Sequence, residues 1–357
     1  MRKSLTCLAA AALLTACGPA DQPAEAPVDI EAEAQRIAKS SIIVDTHIDV
    51  PYRLAAYPQD ISQATDSGDF DYPRAVAGGL NAPFMSIYTP AEHEALGKSR
   101  ETAEVLIDSV EAIVAASPDK FAVATSVADV RDHFAAGLMS LPLGMENGSP
   151  IDGDIENLRH FFARGIRYVS LCHGSSNHLS DSSYDETRQW NGISDFGAEV
   201  IREMNTLGIM VDVSHVSDEA FWEIMETTET PVIASHSSAR HFTPGFERNM
   251  SDEMIVAVAD GGGVVQINFG STFVNQVARD YGDARMAAGK KYALEHPELG
   301  ESFLFREFPK IYVVELGQLP YAMLDEVLDH FDHDVKLTGV VHVGIGSYYD
   351  GVGDSLP

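Results

Sequence analysis

Short apolar, β-branched runs alternate along the chain with longer segments whose apolar positions recur at helical spacing. The first run, Ile42 to Val44, reads as a strand buried on both faces and leads into Asp45-Thr46-His47-Ile48-Asp49. Further strands are predicted over Gly79 to Tyr88, Leu141 to Met145, Arg167 to Cys172, Ile209 to Val213, Val232 to Ser235, Gly263 to Asn268 and Gly339 to Ser347. Between them lie predicted helices. Glu92 to Ala116 reads as one long helix with Val105, Leu106, Ser109, Val110 and Ile113 on a shared face. Asp154 to Arg164 closes at Gly165, Ser194 to Leu207 stops at Gly208, and Ser217 and Ser251 open two more helices with capping chemistry. Strands that alternate with helices in this way predict an α/β fold, a (β/α)₈ TIM-type barrel. The stretch from Phe269 to Lys336 is too long for one connection and predicts a helical insertion before the last strand.

Composition narrows the picture. A 357-residue chain with 45% hydrophobic residues can bury the core of one large barrel. Its net charge of −30 argues against a nucleic-acid partner, since phosphates are repelled. The first residues are a targeting segment: Arg2 and Lys3 precede a short apolar run from Leu5 to Leu14. That run ends in Leu14-Thr15-Ala16-Cys17, which resembles the lipobox of bacterial lipoproteins. The resemblance implies a signal peptide over residues 1–17 and lipidation of Cys17. The expected location is the periplasmic side, anchored to a membrane, with the outer membrane favoured because no Asp follows the Cys. Residues 18–29, rich in Pro, Ala and acid, read as a flexible tether, and the barrel is expected over 30–357. Cys172 is then the remaining thiol, read as a small buried apolar residue.

The chemistry gathers at the strand ends. His47 and Asp49 lie two apart and project to the same side of the first strand. Glu146 follows the third predicted strand, His173 the fourth, His215 the fifth and His236 the sixth. In a barrel such residues converge over one mouth. Any one of them alone is more often a structural histidine or acid than a functional one; together they read as a metal site. Three His and two carboxylates exceed the needs of one four-coordinate zinc with an open position. They suit two divalent ions roughly 3.5–4 Å apart, with a shared carboxylate and a hydroxide between them able to attack an amide or ester carbonyl. Glu146, with two oxygens to divide, is the expected bridge.

VDTHIDVP, GMENG, YVSLCHGSSN, VDVSHVSDEAF, PVIASHSSAR, RNMSDEMI and HVGIGSYYDG resemble, in order, the motifs of the membrane dipeptidase (renal dipeptidase-like) family of the amidohydrolase superfamily. The resemblance runs from about Ser41 to Gly353. It implies a two-zinc barrel that hydrolyses dipeptides, including those with a D-residue at the carboxyl end, in a family whose members are commonly homodimers. Carried over, His47 and Asp49 bind the first zinc, Glu146 bridges, and His215 and His236 bind the second. His173 steadies the carbonyl oxygen as it becomes an oxyanion. Arg248 grips the free carboxylate of the substrate; its plain alternative is an ion pair with Glu247.

Two departures from the family pattern stand out. Where the family has Asp after the Gly-Ser of the last strand, this chain has Tyr348, a poor proton acceptor at neutral pH. The chain also stops at Pro357, where relatives continue through a final helix, so a truncated C-terminus and exposed apolar surface at the last strand are expected. Two further readings accompany the dipeptidase: an amidohydrolase acting on N-acyl amino acids or lactams, and a catalytically impaired lipoprotein that holds metal and binds peptides.

Overall fold

The computed structural model describes residues 29–296, 299, 308–353 and 356, the side chains of 315 and 316 excepted. The signal segment with Cys17 and the tether up to residue 28 lie outside the described residues. Two units are distinguished, Met1–Ser40 and Ser41–Pro357. In the first, Ile30–Ser40 forms an amphipathic helix. No helix among the described residues is long and apolar enough to cross a membrane.

The second unit is built on ten strands, numbered in chain order. They are β1 Ile43–Ile48, β2 Leu80–Tyr88, β3 Phe121–Val123, β4 Met139–Leu141, β5 Leu143–Glu146, β6 Ile166–Ser170, β7 Met210–Asp212, β8 Ile233–Ala234, β9 Val264–Ile267 and β10 Val343–Ile345. Eight of them close a parallel barrel in the order β1-β10-β9-β8-β7-β6-β5-β2, while β3 and β4 pair separately. This is the (β/α)₈ fold that the alternating pattern predicted.

The differences from the expected elements have local causes. The third predicted strand is two strands, because Pro142 between β4 and β5 has no N–H for a ladder. The long predicted helix is broken into Glu92–Ala95 and Ser99–Ala116 at Gly97, whose φ of +63° is left-handed. On the second piece Val105 faces solvent, and Ala103, Leu106, Ile107 and Val110 form the buried stripe. β1 is not buried along both faces: Val44 is exposed, and burial begins at Asp45. The last predicted strand shrinks to Val343–Ile345, preceded by a 3₁₀ turn over Val340–His342.

Helices begin where the sequence supplies caps. Ser126, Ser194, Ser217 and Ser251 each accept a hydrogen bond from the backbone three residues on. The predicted insertion is present as Ser271–Val274, Gln276–Glu295 and Phe308–Leu316, and Leu324–Thr338 leads to β10. Core side chains such as Leu143, Val169, Val211, Val265 and Ile267 fill the barrel and its helix layer. Their packing holds the strand ends that carry the site.

Candidate active site

Glu146 is the last residue of β5 and is buried. Its carboxylate lies between four imidazoles. Oε2 is 3.4 Å from His47 Nε2, and Oε1 is 2.9 Å from His215 Nε2, 3.3 Å from His236 Nε2 and 3.6 Å from His173 Nε2. Asp49 Oδ2 stands 3.4 Å from His47 Nε2. The rings of His47 and His236 stack with centroids 3.7 Å apart. Every residue expected at the barrel mouth is therefore brought to one place.

Backbone and neighbouring side chains aim these groups. His47 sits on β1, and its Nδ1 is 2.8 Å from the hydroxyl of Tyr168 on β6. His215 lies three residues beyond β7 with φ of +73°, a left-handed bend that turns its ring inward from the strand line. His236 Nδ1 is 2.7 Å from Ser235 Oγ, and Ser235 Oγ donates to Asp212 Oδ2, also at 2.7 Å. Ser86 Oγ donates to Glu146 Oε2 at 3.2 Å. Supports of this kind fix the tautomer and orientation of metal-binding histidines. Tyr168, Ser235, Asp212 and Ser86 were missed from the sequence, where a polar residue within a short strand carries no distinguishing signal.

Electrostatics favours a cation at the centre. His47 Nε2 and Asp49 Oδ2 are buried and have no well-formed hydrogen bond among the described residues. Each such atom costs about 1–3 kcal/mol unless something else satisfies it. His215 Nε2 and His236 Nε2 face each other at 2.8 Å, so at most one of them carries the shared proton. Burial disfavours protonated His47, but the Glu146 and Asp49 carboxylates outweigh burial and push its pKa up to about 10. Burial holds His173, His215 and His236 below the usual histidine range, leaving neutral imidazoles at pH 7. Asp49 is pushed up to about 6 by burial and by Glu146. Neutral imidazoles beside carboxylates are a donor set for zinc-type divalent ions. Ligand atoms of His47, Glu146 and His236, and of Glu146, His173 and His215, cluster closely enough to hold such ions. The residues present fit the metal.

Arg248 is buried beside this cluster. Its guanidinium donates to Ser237 Oγ and to the His236 carbonyl, each at 2.8 Å, and approaches His215 Nε2 at 3.1 Å. Glu247 instead pairs with Arg188 at 2.6 Å, so the ion pair between neighbours in sequence does not form. Among the described residues Arg248 has no carboxylate partner, a costly state for a buried cation that a ligand's carboxylate would relieve.

Tyr348 also reaches the cluster. Its backbone N–H donates to the His47 carbonyl at 3.0 Å, and its ring lies 4.6 Å from that of His236 and 5.3 Å from that of His47. Asp350, two residues on, is engaged elsewhere: its carboxylate accepts from Arg53 Nε and from the Asp69 N–H, both at 2.7 Å. Tyr88 and Tyr184 stand against His173 and His215, with ring centroids at 4.7 and 6.1 Å.

Known proteins carry the same fold. An uncharacterized dipeptidase of Schizosaccharomyces pombe is 28% identical over 339 residues, covering 89% of this chain and 71% of that protein. The crystal structure of the probable dipeptidase PvdM from Pseudomonas aeruginosa superposes with a TM-score of 0.78 at 23% identity, covering 92% of this chain and 88% of that one. A metallo peptidase from Rhodobacter sphaeroides, crystallised with a phosphinate mimic of the dipeptide L-Ala-D-Ala, superposes with a TM-score of 0.70 at 22% identity, covering 88% and 87%. The family model for membrane dipeptidases, peptidase family M19, matches residues 31–356. By that match, which spans the whole barrel, the chain belongs to the membrane dipeptidase family.

Proposed function

We propose that this protein is a metal-dependent dipeptidase that uses two divalent ions, zinc by preference, and accepts L-D as well as L-L dipeptides. The observation that carries the reading is the single carboxylate of Glu146 set between His47 on one side and His215 and His236 on the other. In this assignment His47 and Asp49 would hold one ion and His215 and His236 the other, with Glu146 available to both. Ions held there would supply Lewis-acid chemistry for the attack of water on a carbonyl at neutral pH.

The chain's own side chains do the rest. Arg248 pairs with the substrate's free carboxylate, which sets the distance from the C-terminus to the scissile bond. His173, the most open of the imidazoles at 20% exposure, donates to the carbonyl oxygen as negative charge develops on it. Tyr168 and Ser235 hold the His47 and His236 rings in place during turnover. The L-Ala-D-Ala mimic bound by the R. sphaeroides relative supports the choice of substrate. The lipobox-like Leu14 to Cys17 supports an exported, lipid-anchored protein.

A second reading, a metal-holding protein with weak turnover, is favoured by Tyr348, which stands buried against His47 and His236 where the family has Asp. Assaying a dipeptide panel that includes L-Ala-D-Ala, alongside N-acyl amino acids, with added zinc and after chelation, decides between them. Zinc-dependent dipeptide hydrolysis supports the first reading. Tight dipeptide binding without turnover supports the second, and selective N-acyl cleavage contradicts both.

A further inference from the structure

Outside the Glu146 cluster, three more metal-ligating side chains come together. His241 belongs to the short 3₁₀ turn Arg240–Phe242, Asp252 opens the helix Asp252–Asp260, and His333 lies on Leu324–Thr338. One ligand atom from each lies within 4.8 Å of the others. His333 Nε2 and Asp252 Oδ1 are 2.9 Å apart, and the His241 and His333 rings stack with centroids at 4.4 Å and 24° between planes. Ligands around a tetrahedral zinc are spaced by about 3.3 Å, given metal–ligand bonds of about 2.0–2.1 Å. Small side-chain rotations of the exposed His241 therefore complete the set.

We propose that His241, Asp252 and His333 form a further divalent-cation site of the zinc type, sharing no ligand with the Glu146 cluster, with its remaining position open to water. The surroundings carry the negative charge such a site needs. Asp334, next to His333, is fully buried, and neither of its carboxylate oxygens has a hydrogen-bond partner among the described residues. Phe242 packs edge-on to the His333 ring, with centroids at 5.6 Å, and limits its rotation.

The site has a structural consequence. Ala239 and Met250 pair as an isolated parallel bridge, and Arg240 Nε donates to the Asn249 carbonyl at 2.7 Å. The turn that supplies His241 is thereby tied to the end of the segment that carries Arg248. An ion held by His241, Asp252 and His333 fastens this segment to the two helices beside it.

The test is zinc stoichiometry of the full-length protein, dialysed at fixed free zinc and measured by elemental analysis. His241→Ala alters an exposed side chain and leaves the core untouched; His333→Gln is the second variant, with thermal melts to verify folding. The expected result is one zinc equivalent per chain fewer in either variant than in the unaltered protein. In Glu146→Gln this outer equivalent remains. Unchanged stoichiometry in both folded variants overturns the proposal.

Discussion

Tyr348 sets the chemistry and the backbone against each other. Its φ is +66°, a left-handed conformation that Asn and Asp tolerate and a bulky aromatic rarely adopts. The position is suited to the Asp that the family carries there. Burial, with the charges of Glu146 and Asp49, raises the Tyr348 pKa well above the usual tyrosine range, so its hydroxyl keeps its proton at neutral pH. Tyr348→Asp is expected to raise kcat for dipeptides at least about tenfold, a modest share of what a positioned base contributes. Equal rates in the two proteins would remove Tyr348 from the account. Arg248 makes the other prediction at this scale. Arg248→Ala should raise KM for free dipeptides about ten- to hundredfold, the worth of a charge-assisted pair, while leaving KM for C-terminal amides nearly unchanged. A similar rise for both substrates would mean that the guanidinium only props up Ser237 and His236.

Among the elements, the short helix Tyr72–Gly78 shows how much rests on one cap. Asp71 accepts from the Arg74 N–H at 2.9 Å, from the Thr65 N–H at 3.0 Å and from Arg74 Nε at 2.8 Å. Although burial raises it, these bonds hold its pKa down to about 2. Because the folded value lies below the unfolded one, the stabilisation is full above about pH 4 and is lost as pH falls through about 2. Asp71→Ala should cost about 1–2 kcal/mol in denaturant melts at pH 7 and much less at pH 2. An equal cost at both pH values would assign the loss to packing.

Elements also explain what was legible beforehand. Strand positions were readable because barrel strands are short apolar runs, most of them ending beside a candidate site residue. Strand ends were less so, since the closed ladder pairs only two residues of β8 and three of β7 and β10. The β3–β4 pair escaped notice because Phe121–Val123 is too short to show a period. The metal ligands were visible as His, Asp and Glu at strand ends, whereas Tyr168 looked like any core aromatic. Its place is set by Gly144 on β5, where even a Cβ would fall 1.9 Å from the Tyr168 ring. That glycine leaves room for the side chain that aims His47.

At the scale of the whole molecule, closure of the barrel is what turns residues scattered from His47 to His236 into one constellation. Parallel strands deliver their carboxyl ends to the same rim, so ligands from β1, β5, β7 and β8 meet without long-range contacts designed for each pair. The buried carboxylates and neutral imidazoles gathered there suit a rim that binds something positively charged. The most direct measurement is a crystal structure of the zinc-loaded protein with anomalous scattering at the zinc edge. Two peaks flanking the Glu146 carboxylate, one against His47 and Asp49 and one against His215 and His236, are predicted. No peak, or a single one that leaves either pair of ligands unengaged, would contradict the two-metal account.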